Sequence, residues 1–317
     1  MRFLRIAVLG AALPAILATS ALAQAVQYII PEEMPSLPYS YGVAFPIEVQ
    51  TKAVSVTAAG TKFGGTGITA NVPAATDLKG QMVQVLANLD VALKELRSSK
   101  NDIAKIHLEF VGNTFDQVEM LSDHLENYFL VRNASKEVKF PPVRTLIGKN
   151  SLGDPTKLVD LQVTLIDPKT KPEVIQSQGI EVPEDFGTHG TSILLGGITA
   201  MNKSYMVKGL NSMRTQMQTS LKNLDLVLSK AGGTRDDVKF INVFYTPKPG
   251  SDAEEPQQAE QLLNDELKKF FGETNAPTVT LQADAVNCSA YLSILLDAQA
   301  TTKGTAPKTA PAPKKTI

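Results

Sequence analysis

The stretch "GQMVQVLANLDVALKEL" (residues 80–96) recurs later in the chain as "TQMQTSLKNLDLVLSKA" (residues 215–231). Gln81, Asn88, Leu89, Asp90 and Leu93 each have an identical residue 135 positions further on. Repetition at a fixed period indicates a repeated structural unit. The fold of this protein is therefore expected to be that of one module, built twice.

Three further blocks follow the same period. "NDIAKIHLEF" (residues 101–110) matches "DDVKFINVFY" (residues 236–245), and "LENYF" (residues 125–129) matches "LKKFF" (residues 267–271) after a few extra residues. The offset returns to 135 between Pro142 and Pro277. We interpret the four blocks as a tandem duplication.

Hydrophobic periodicity predicts the same elements in each copy. Met82, Val85, Leu89 and Leu93 recur at helical spacing, which indicates an amphipathic helix. Apolar and β-branched runs predict strands, and a second helix lies between them. The predicted strands cover residues 52–60, 106–111, 145–149 and 158–166, then 191–198, 238–245, 278–283 and 290–298; the second helices cover 115–130 and 256–271.

The order β-β-α-β-α-β-β predicts an α+β fold with two helices on one face of a mixed sheet. The other face is assigned apolar residues such as Leu108, Val163 and Leu295. A large apolar face has to be buried. Sheet-to-sheet association between the modules is therefore expected.

The N-terminus reads as a secretory signal peptide. Arg2 and Arg5 precede an apolar run, and Ala21-Leu22-Ala23 resembles a cleavage site. The alternative is a membrane anchor, but the run is short for a span of about 20 residues. The expected domain boundaries are 1–23 for the signal peptide, 24–35 for an N-terminal extension, 36–170 and 171–300 for the two modules, and 301–317 for a disordered tail.

Composition excludes several function classes. The formal net charge is −1, Trp is absent, and no basic stripe with interleaved aromatics indicates nucleic-acid binding. His107, His124 and His189 do not cluster at ligand spacing, and Cys288 is the only cysteine, so neither a metal site nor an intrachain disulfide is expected. Cys288 is either a reactive thiol or an inert buried residue. We predict a periplasmic or secreted protein without membrane insertion, metal or cofactor.

The order of residues within the first copy resembles the Rid/YjgF family (reactive intermediate imine deaminases). The resemblance rests on Gln81, Asn88-Leu89, Leu93, Asp102-Ile103, Phe115, Tyr128-Phe129 and "PVRT" (residues 142–145), with "PYSYGV" (residues 38–43) similar to the family's opening motif. It covers nearly all of residues 36–170 and, more weakly, 180–300.

The family resemblance implies the chorismate-mutase-like α+β fold in both modules. It also implies a homo-oligomer with ligand sites at interfaces between domains. The best-known members hydrolyse enamines and imines derived from amino acids to keto acids and ammonia without a metal or cofactor. The resemblance therefore implies a small carboxylate-bearing imine or keto acid as ligand.

Arg144 matches the family's carboxylate-binding arginine. A guanidinium suits this task because it binds a carboxylate through two parallel hydrogen bonds. The alternative is a surface ion pair. Tyr39 matches the family's N-terminal tyrosine and is either a hydrogen-bond donor or a residue that packs at the rim of the site. "AAG" (residues 58–60) sits where the family has Ser-Gly. Ala59 therefore lacks the hydroxyl of the family's serine, while Gly60 retains the family's glycine and with it the course of the backbone.

The family's water-positioning acid aligns with Asp160, which is one methylene shorter than glutamate. A general base must come within about 3 Å of its water. Asp160 is either this base or an exposed strand residue. In the second copy Val279 replaces the arginine, Ser293 aligns with Asp160, and Gly196 stands at the serine position. The second copy is accordingly expected to be a structural partner.

Three functions remain open at this point. One is an exported imine deaminase with a single site per chain, at Arg144 and Asp160, and we favour it slightly. Another is a non-catalytic protein that binds small carboxylates through Arg144. The third is a chaperone-like envelope protein that uses only its assembly surface.

Overall fold

The computed structural model describes residues 26–63, 66–70, 72–129, 141–167, 174–176, 190–273, 276–286 and 291–303. The predicted signal peptide, His189, Cys288 and most of the predicted tail lie outside these residues. Within the described ranges no helix is both long and apolar enough to cross a membrane. The same ranges contain no group of three or more His, Cys, Asp or Glu residues arranged to hold a metal ion.

The elements alternate as an α+β fold. The helices are α1 (Leu78–Glu95), α2 (Phe115–Phe129), α3 (Met213–Lys230) and α4 (Pro256–Phe271). The strands are β1 (Val26–Ile29), β2 (Gly42–Pro46), β3 (Thr51–Thr57), β4 (Gly60–Phe63), β5 (Thr66–Thr69), β6 (Ile103–Val111), β7 (Val143–Lys149), β8 (Val159–Ile166), β9 (Val174–Gln176), β10 (Thr191–Ile198), β11 (Val238–Tyr245), β12 (Thr278–Ala283), β13 (Ala285–Val286) and β14 (Ile294–Thr302).

The strands form two sheets of seven. The first-half sheet has the order β13-β7-β6-β8-β3-β4-β5, and the second-half sheet has the order β12-β11-β14-β10-β2-β1-β9. Buried residues of α1 and α2 pack on the first-half sheet, and those of α3 and α4 on the second-half sheet. The mixed sheets, each with two helices on one face, agree with the expected α+β class.

Repeated polar residues make equivalent hydrogen bonds in the two halves. Buried Gln81 on α1 binds the Thr156 carbonyl at 2.6 Å and the Leu158 N–H at 2.8 Å. Buried Gln216 on α3 binds the Tyr291 carbonyl and the Ser293 N–H, both at 2.8 Å. Each glutamine thereby fixes the start of the strand that follows its loop, because an unpaired backbone group buried there would be costly.

The strand β2 does not join the sheet of its own half. It pairs antiparallel with β10, with Ala44 opposite Ile193, and with β1 on its other side. Residues 26–46, which the sequence assigns to the N-terminal extension and the first domain, thus complete the second-half sheet. The domain boundaries themselves stay a prediction.

The assignment of Leu108 and Val163 to the helix-free sheet face is wrong. Both residues lie in the core beneath α1 and α2, together with Leu89 and Leu121. Only Leu295 faces the other sheet, where it packs with Ile147 and Phe244. The strand alternates correctly, but the helices cover the face that carries Leu108 rather than the one that carries His107.

The two sheets pack against each other through their helix-free faces. One apolar cluster joins Val43, Phe45 and Leu194 of the second-half sheet to Val143 and Ile166 of the first-half sheet. Sheet-to-sheet packing of this kind places interdigitating side chains between two inner faces. The expected burial of these faces is therefore observed within a single chain.

A buried carboxylate connects the sheets beside this apolar cluster. Asp297 on β14 is 3% exposed and forms an ion pair with the Lys105 ammonium. It also accepts a hydrogen bond from the Thr145 hydroxyl at 3.3 Å, and His107 Nδ1 lies 3.7 Å from its Oδ2. All three groups come from the first-half sheet. Removing one partner of such a buried pair typically costs about 3–5 kcal/mol.

The same cluster sets a pH dependence of stability. Burial lowers the pKa of His107, but contacts with Asp297 and Glu109 outweigh burial and raise this pKa above its ordinary value. Burial likewise raises the pKa of Asp297, and Lys105 and His107 bring it below its ordinary value. Protonated His107 and ionised Asp297 therefore both favour the folded state.

We predict that the free energy of unfolding falls as pH rises from about 6 to 8. A raised folded pKa contributes stability below the unfolded pKa of about 6.5, and this contribution is lost as pH rises through the folded value. Urea denaturation of the wild type and His107→Gln at a series of pH values measures it. The decline should flatten in His107→Gln and persist in His124→Gln, and a wild-type profile without decline would contradict the prediction.

Candidate functional site

Arg144 lies on β7, close to the start of this strand. The segment before β2 runs beside it, with Ser40 bridging Val143 in parallel. The Ser40 N–H donates to the Pro142 carbonyl at 3.3 Å, and its hydroxyl donates to the Pro141 carbonyl at 2.7 Å. Ser40 thereby supplies a donor to each of the two proline carbonyls. These bonds bring Tyr39 next to Arg144.

The Tyr39 ring lies under the Arg144 guanidinium. The distance from Arg144 Cζ to the ring centroid is 4.4 Å, a cation–π contact. Tyr39 is 8% exposed, and its own ring meets the Tyr41 ring edge to face at 5.6 Å. The guanidinium is thus held on a rigid aromatic base, which orients its donors.

The charge of Arg144 is only partly compensated. Burial lowers the pKa of Arg144, while Tyr39 and the Glu126 carboxylate on α2 act in the opposite direction. Among the described residues no carboxylate forms an ion pair with Arg144. The surface-ion-pair alternative is therefore not what this part of the chain shows. Burial raises the pKa of Tyr39, so its phenol keeps its proton at neutral pH.

Two glycines of the second-half sheet let it approach Arg144. The register of β10 against β14 shifts between Leu195 and Ile198, which marks a β-bulge around Gly196 and Gly197. Gly197 has a φ of 64°, and a Cβ there would lie 2.5 Å from the Arg144 carbonyl oxygen and 3.0 Å from Tyr39 Cε2. A side chain at Gly197 would push the two sheets apart at the site.

Arg144 opens into a pocket of about 280 Å³ between the two halves. Its other walls are mostly apolar, and no described residue lining it carries a carboxylate. The first half contributes Phe115, Val118 and Leu146, and the second half contributes Met201, Val207, Leu292 and Leu295. Arg144 is the one charged side chain in this lining set.

The structure divides the five predicted site residues into two groups. Arg144 and Tyr39 come together. Ala59 lies instead in the turn between β3 and β4, and Gly60 begins β4 opposite Thr57, the residue that also pairs with Asp160. From Arg144 to Asp160 the sheet register runs two strands across and three residues along. At about 4.8 Å per strand and 3.3 Å per residue, their backbones are about 14 Å apart.

Asp160 also faces away from Arg144. Its neighbours Val159 and Leu161 point into the helix-covered core, so Asp160 points to the opposite face, whereas Arg144 shares a face with Leu146 of that core. The Asp160 carboxylate pairs with the Lys157 ammonium. The structure therefore does not bring Arg144 and Asp160 together within the first module, and their joint action in one site stays a prediction.

Asp160 and Ala59 were expected beside Arg144. Their counterparts in the second copy of the repeat lie there instead. Asp160 pairs with Glu109 as Leu295 pairs with Phe244, and each pair member is 135 residues from its counterpart. Leu295, rather than Ser293, is thus the counterpart of Asp160.

The serine position is located by the repeated asparagines. Asn88 donates to the carbonyls of Thr57 and Ala58, and Asn223 donates to those of Thr199 and Met201. The strand registers complete the match: Val56 pairs with Leu161 as Ile198 pairs with Leu296. Three residues further on in each copy, Met201 rather than Gly196 is therefore the counterpart of Ala59. Both counterparts, Leu295 and Met201, line the Arg144 pocket.

Three solved structures are similar to this chain at low identity, and two of them belong to the Rid or YjgF families. A Rid family protein from Yersinia pestis is 21% identical, with 41% of this chain and 98% of that chain covered, at a TM-score of 0.30. A protein from yeast is 18% identical over 36% of this chain and 86% of that chain, also at 0.30. A YjgF/YER057c/UK114 family member from Mycobacterium tuberculosis is 14% identical over 42% and 97%, at 0.25.

Neither a protein-family model nor a curated protein matches the sequence. These three structural matches each extend over less than half of this chain, and nothing about its activity follows from them.

A larger cavity of about 410 Å³ lies between the sheets on the far side of Asp297. Its charged lining groups pair with one another, Lys105 with Asp297 and His107 with Glu109 at 3.3 Å, and Glu109 also pairs with Lys149 outside the lining at 3.1 Å. Arg144, in contrast, forms no ion pair with a carboxylate of the described residues. The Arg144 pocket is therefore the stronger candidate for binding an anion.

Sequence reasoning missed the second-half residues of this pocket. A signal for them existed, because the repeat alignment already set Leu295 at 135 positions from Asp160. The alignment could not indicate that Arg144 of one half meets the other half rather than its own sheet. That arrangement depends on the packing of the two sheets.

We predict that Gly197→Ala destabilises the protein more than Gly250→Ala does. Both glycines have a positive φ, which costs an alanine about 1–2 kcal/mol. Nothing lies within 4 Å of a Cβ at Gly250, whereas Gly197 meets Arg144 and Tyr39, and overpacking adds about 1–3 kcal/mol. Urea denaturation measures the difference, and equal losses would refute the close approach.

Proposed function

We propose that this chain is an exported Rid-type protein of two tandem modules that binds a small carboxylate-bearing imine or keto acid at Arg144. The proposal includes a periplasmic or secreted location and a homo-oligomeric state. The observation that carries it is the half-buried Arg144 guanidinium, braced by Tyr39 at the end of an apolar pocket, with no carboxylate paired to it among the described residues.

A planar carboxylate suits this guanidinium better than other small anions do. The Tyr39 ring covers one face of the guanidinium, so the in-plane N–H groups remain to bind a ligand. Two parallel hydrogen bonds to a carboxylate fix both its position and its plane. The surrounding apolar walls keep the local dielectric low, which strengthens the charge-assisted bonds.

We expect Arg144→Ala to weaken the binding of pyruvate about 10- to 100-fold. Hydrogen bonds to charged groups contribute about 1.5–3 kcal/mol, which corresponds to this range. Isothermal titration of the full chain with pyruvate measures it. Arg144→Lys should fall between the wild type and Arg144→Ala, because it keeps the charge without the bidentate geometry.

Arg235→Ala is the matched control. Arg235 also lies 4.4 Å from an aromatic ring, that of Phe270, but it is paired with Asp225 at 2.8 Å. Its loss should leave pyruvate affinity unchanged. If both alanine variants weaken binding equally, or if the wild type binds no carboxylate, the proposed site is wrong.

Imine hydrolysis is the second candidate function. The observation in its favour is the protonated Tyr39 phenol next to Arg144, which can donate a proton to a leaving amine. Hydrolysis also requires a positioned water, and the counterpart of the family acid in this pocket is Leu295. Binding therefore has more support from the geometry than turnover has.

If the protein hydrolyses imines, Arg144→Ala and Tyr39→Phe should each slow the reaction by about 10-fold or more. Asp160→Ala should leave the rate unchanged, since Asp160 lies on the opposite sheet face. Imines generated by an amino-acid oxidase and trapped with semicarbazide give the rate. A collapse of activity in Asp160→Ala alone would contradict the assignment of the site to Arg144.

A further inference from the structure

Three of the most exposed aromatic side chains surround one pocket. Among the described residues four aromatic side chains are more than half exposed: Phe115 at 60%, Tyr205 at 54%, Phe240 at 53% and Tyr291 at 61%. Phe115, Tyr205 and Tyr291 all line the Arg144 pocket. Apolar surface concentrated in one place, beside a concave site, indicates contact with another molecule.

The pocket is too large for a minimal carboxylate. Its volume of about 280 Å³ equals the liquid volume of roughly nine waters at ~30 Å³ each. A pyruvate bound to Arg144 would fill a fraction of it and leave Val118, Met201 and Leu295 in contact with water. An apolar extension of the ligand would displace that water and gain the hydrophobic free energy of burial.

The second half of the chain positions two of the three aromatic residues. Gln216 holds the Tyr291 carbonyl at 2.8 Å, so the repeated glutamine fixes the backbone that presents this ring. Tyr205 has a φ of 61°, a left-handed conformation that is costly for a residue with a Cβ. Its hydroxyl donates to the Ser36 carbonyl at 2.7 Å, which holds the ring at the pocket mouth.

The second half differs from the first in the same way at two pocket positions: both carry a larger apolar side chain. Leu295 stands at the counterpart of Asp160, and Met201 stands at the counterpart of Ala59. Both replacements enlarge the apolar wall that faces Arg144. The second half therefore shapes the pocket instead of only supporting it.

We propose that the Arg144 pocket selects carboxylates that carry a bulky apolar group, preferably an aromatic ring, and that Tyr205, Tyr291 and Phe115 form the wall that contacts this group. The inference rests on the proposed carboxylate binding by Arg144. The carboxylate binds the guanidinium, and the ring extends along Leu295 and Met201 to the aromatic rim. Small keto acids satisfy only the first of these contacts.

Phenylpyruvate and pyruvate share the same keto-acid group and differ in the ring, so they separate the two contacts. Isothermal titration of the full chain should give phenylpyruvate a dissociation constant roughly 10- to 100-fold below that of pyruvate. Tyr291→Ala and Phe115→Ala should each lower phenylpyruvate affinity by a larger factor than pyruvate affinity, because the ring of phenylpyruvate contacts this wall. Both side chains are largely exposed, so the melting temperature should stay the same.

Phe240→Ala is the control, because it removes an equally exposed aromatic ring from the larger cavity between the sheets. It should leave both affinities unchanged. Equal affinities for the two acids, both lost in Arg144→Ala, would overturn the selectivity and leave the proposed function standing. A preference that survives Tyr291→Ala and Phe115→Ala would overturn the assigned wall. If neither acid binds, the proposed function fails and this inference fails with it.

Discussion

The rest of the structure depends on the burial of Asp297 between the two sheets. A carboxylate removed from water is tolerated only where donors replace its hydration. Here Lys105 and Thr145 donate to Asp297 and the His107 ring lies 3.7 Å away, and all three residues belong to the other half of the chain. The ionised carboxylate therefore fixes the relative position of the two helix-free faces in a way that apolar packing alone does not.

This register also determines the pocket. Thr145 is adjacent to Arg144 in β7, so the bond from Thr145 to Asp297 holds the β7 backbone, including the Arg144 carbonyl, against the second-half sheet. The β-bulge at Gly196 and Gly197 in β10 then leaves room for the backbone of β7 to approach closely. One half of the chain contributes the charge, and the other half contributes most of the surface around it.

Local structure was largely predictable from sequence, because it depends on local patterns. The repeated helix was expected at residues 80–96 and is observed at Leu78–Glu95, and the strand expected at 238–245 is observed at those residues. The repeated Gln81 and Gln216 correctly indicated equivalent structural positions. The N-caps Asp77 and Ser212, which accept from the first turns of α1 and α3, are of residue types that favour this position.

The composition of the site was not predictable in the same way. Alternation in β6 separates Leu108 from His107 but does not indicate which face the helices cover. Alignment to a single-module family placed Arg144, Asp160 and Ala59 together, although β7 and β8 present the first two on opposite faces. Pairing of β2 with β10, and of Arg144 with the second half, depends on contacts between residues far apart in the chain.

The pairing of β2 with β10 has a consequence for synthesis. Residues 42–46 leave the ribosome early, but their partner strand begins only at Thr191. While only the first half has been synthesised, β1 and β2 therefore have no sheet to join. Their apolar residues, such as Val43 and Phe45, stay unburied until the second half has emerged. Such long-range pairing slows folding, because the loop between the partners must close first. A growing chain of this kind needs protection of those two strands until translation has passed β10.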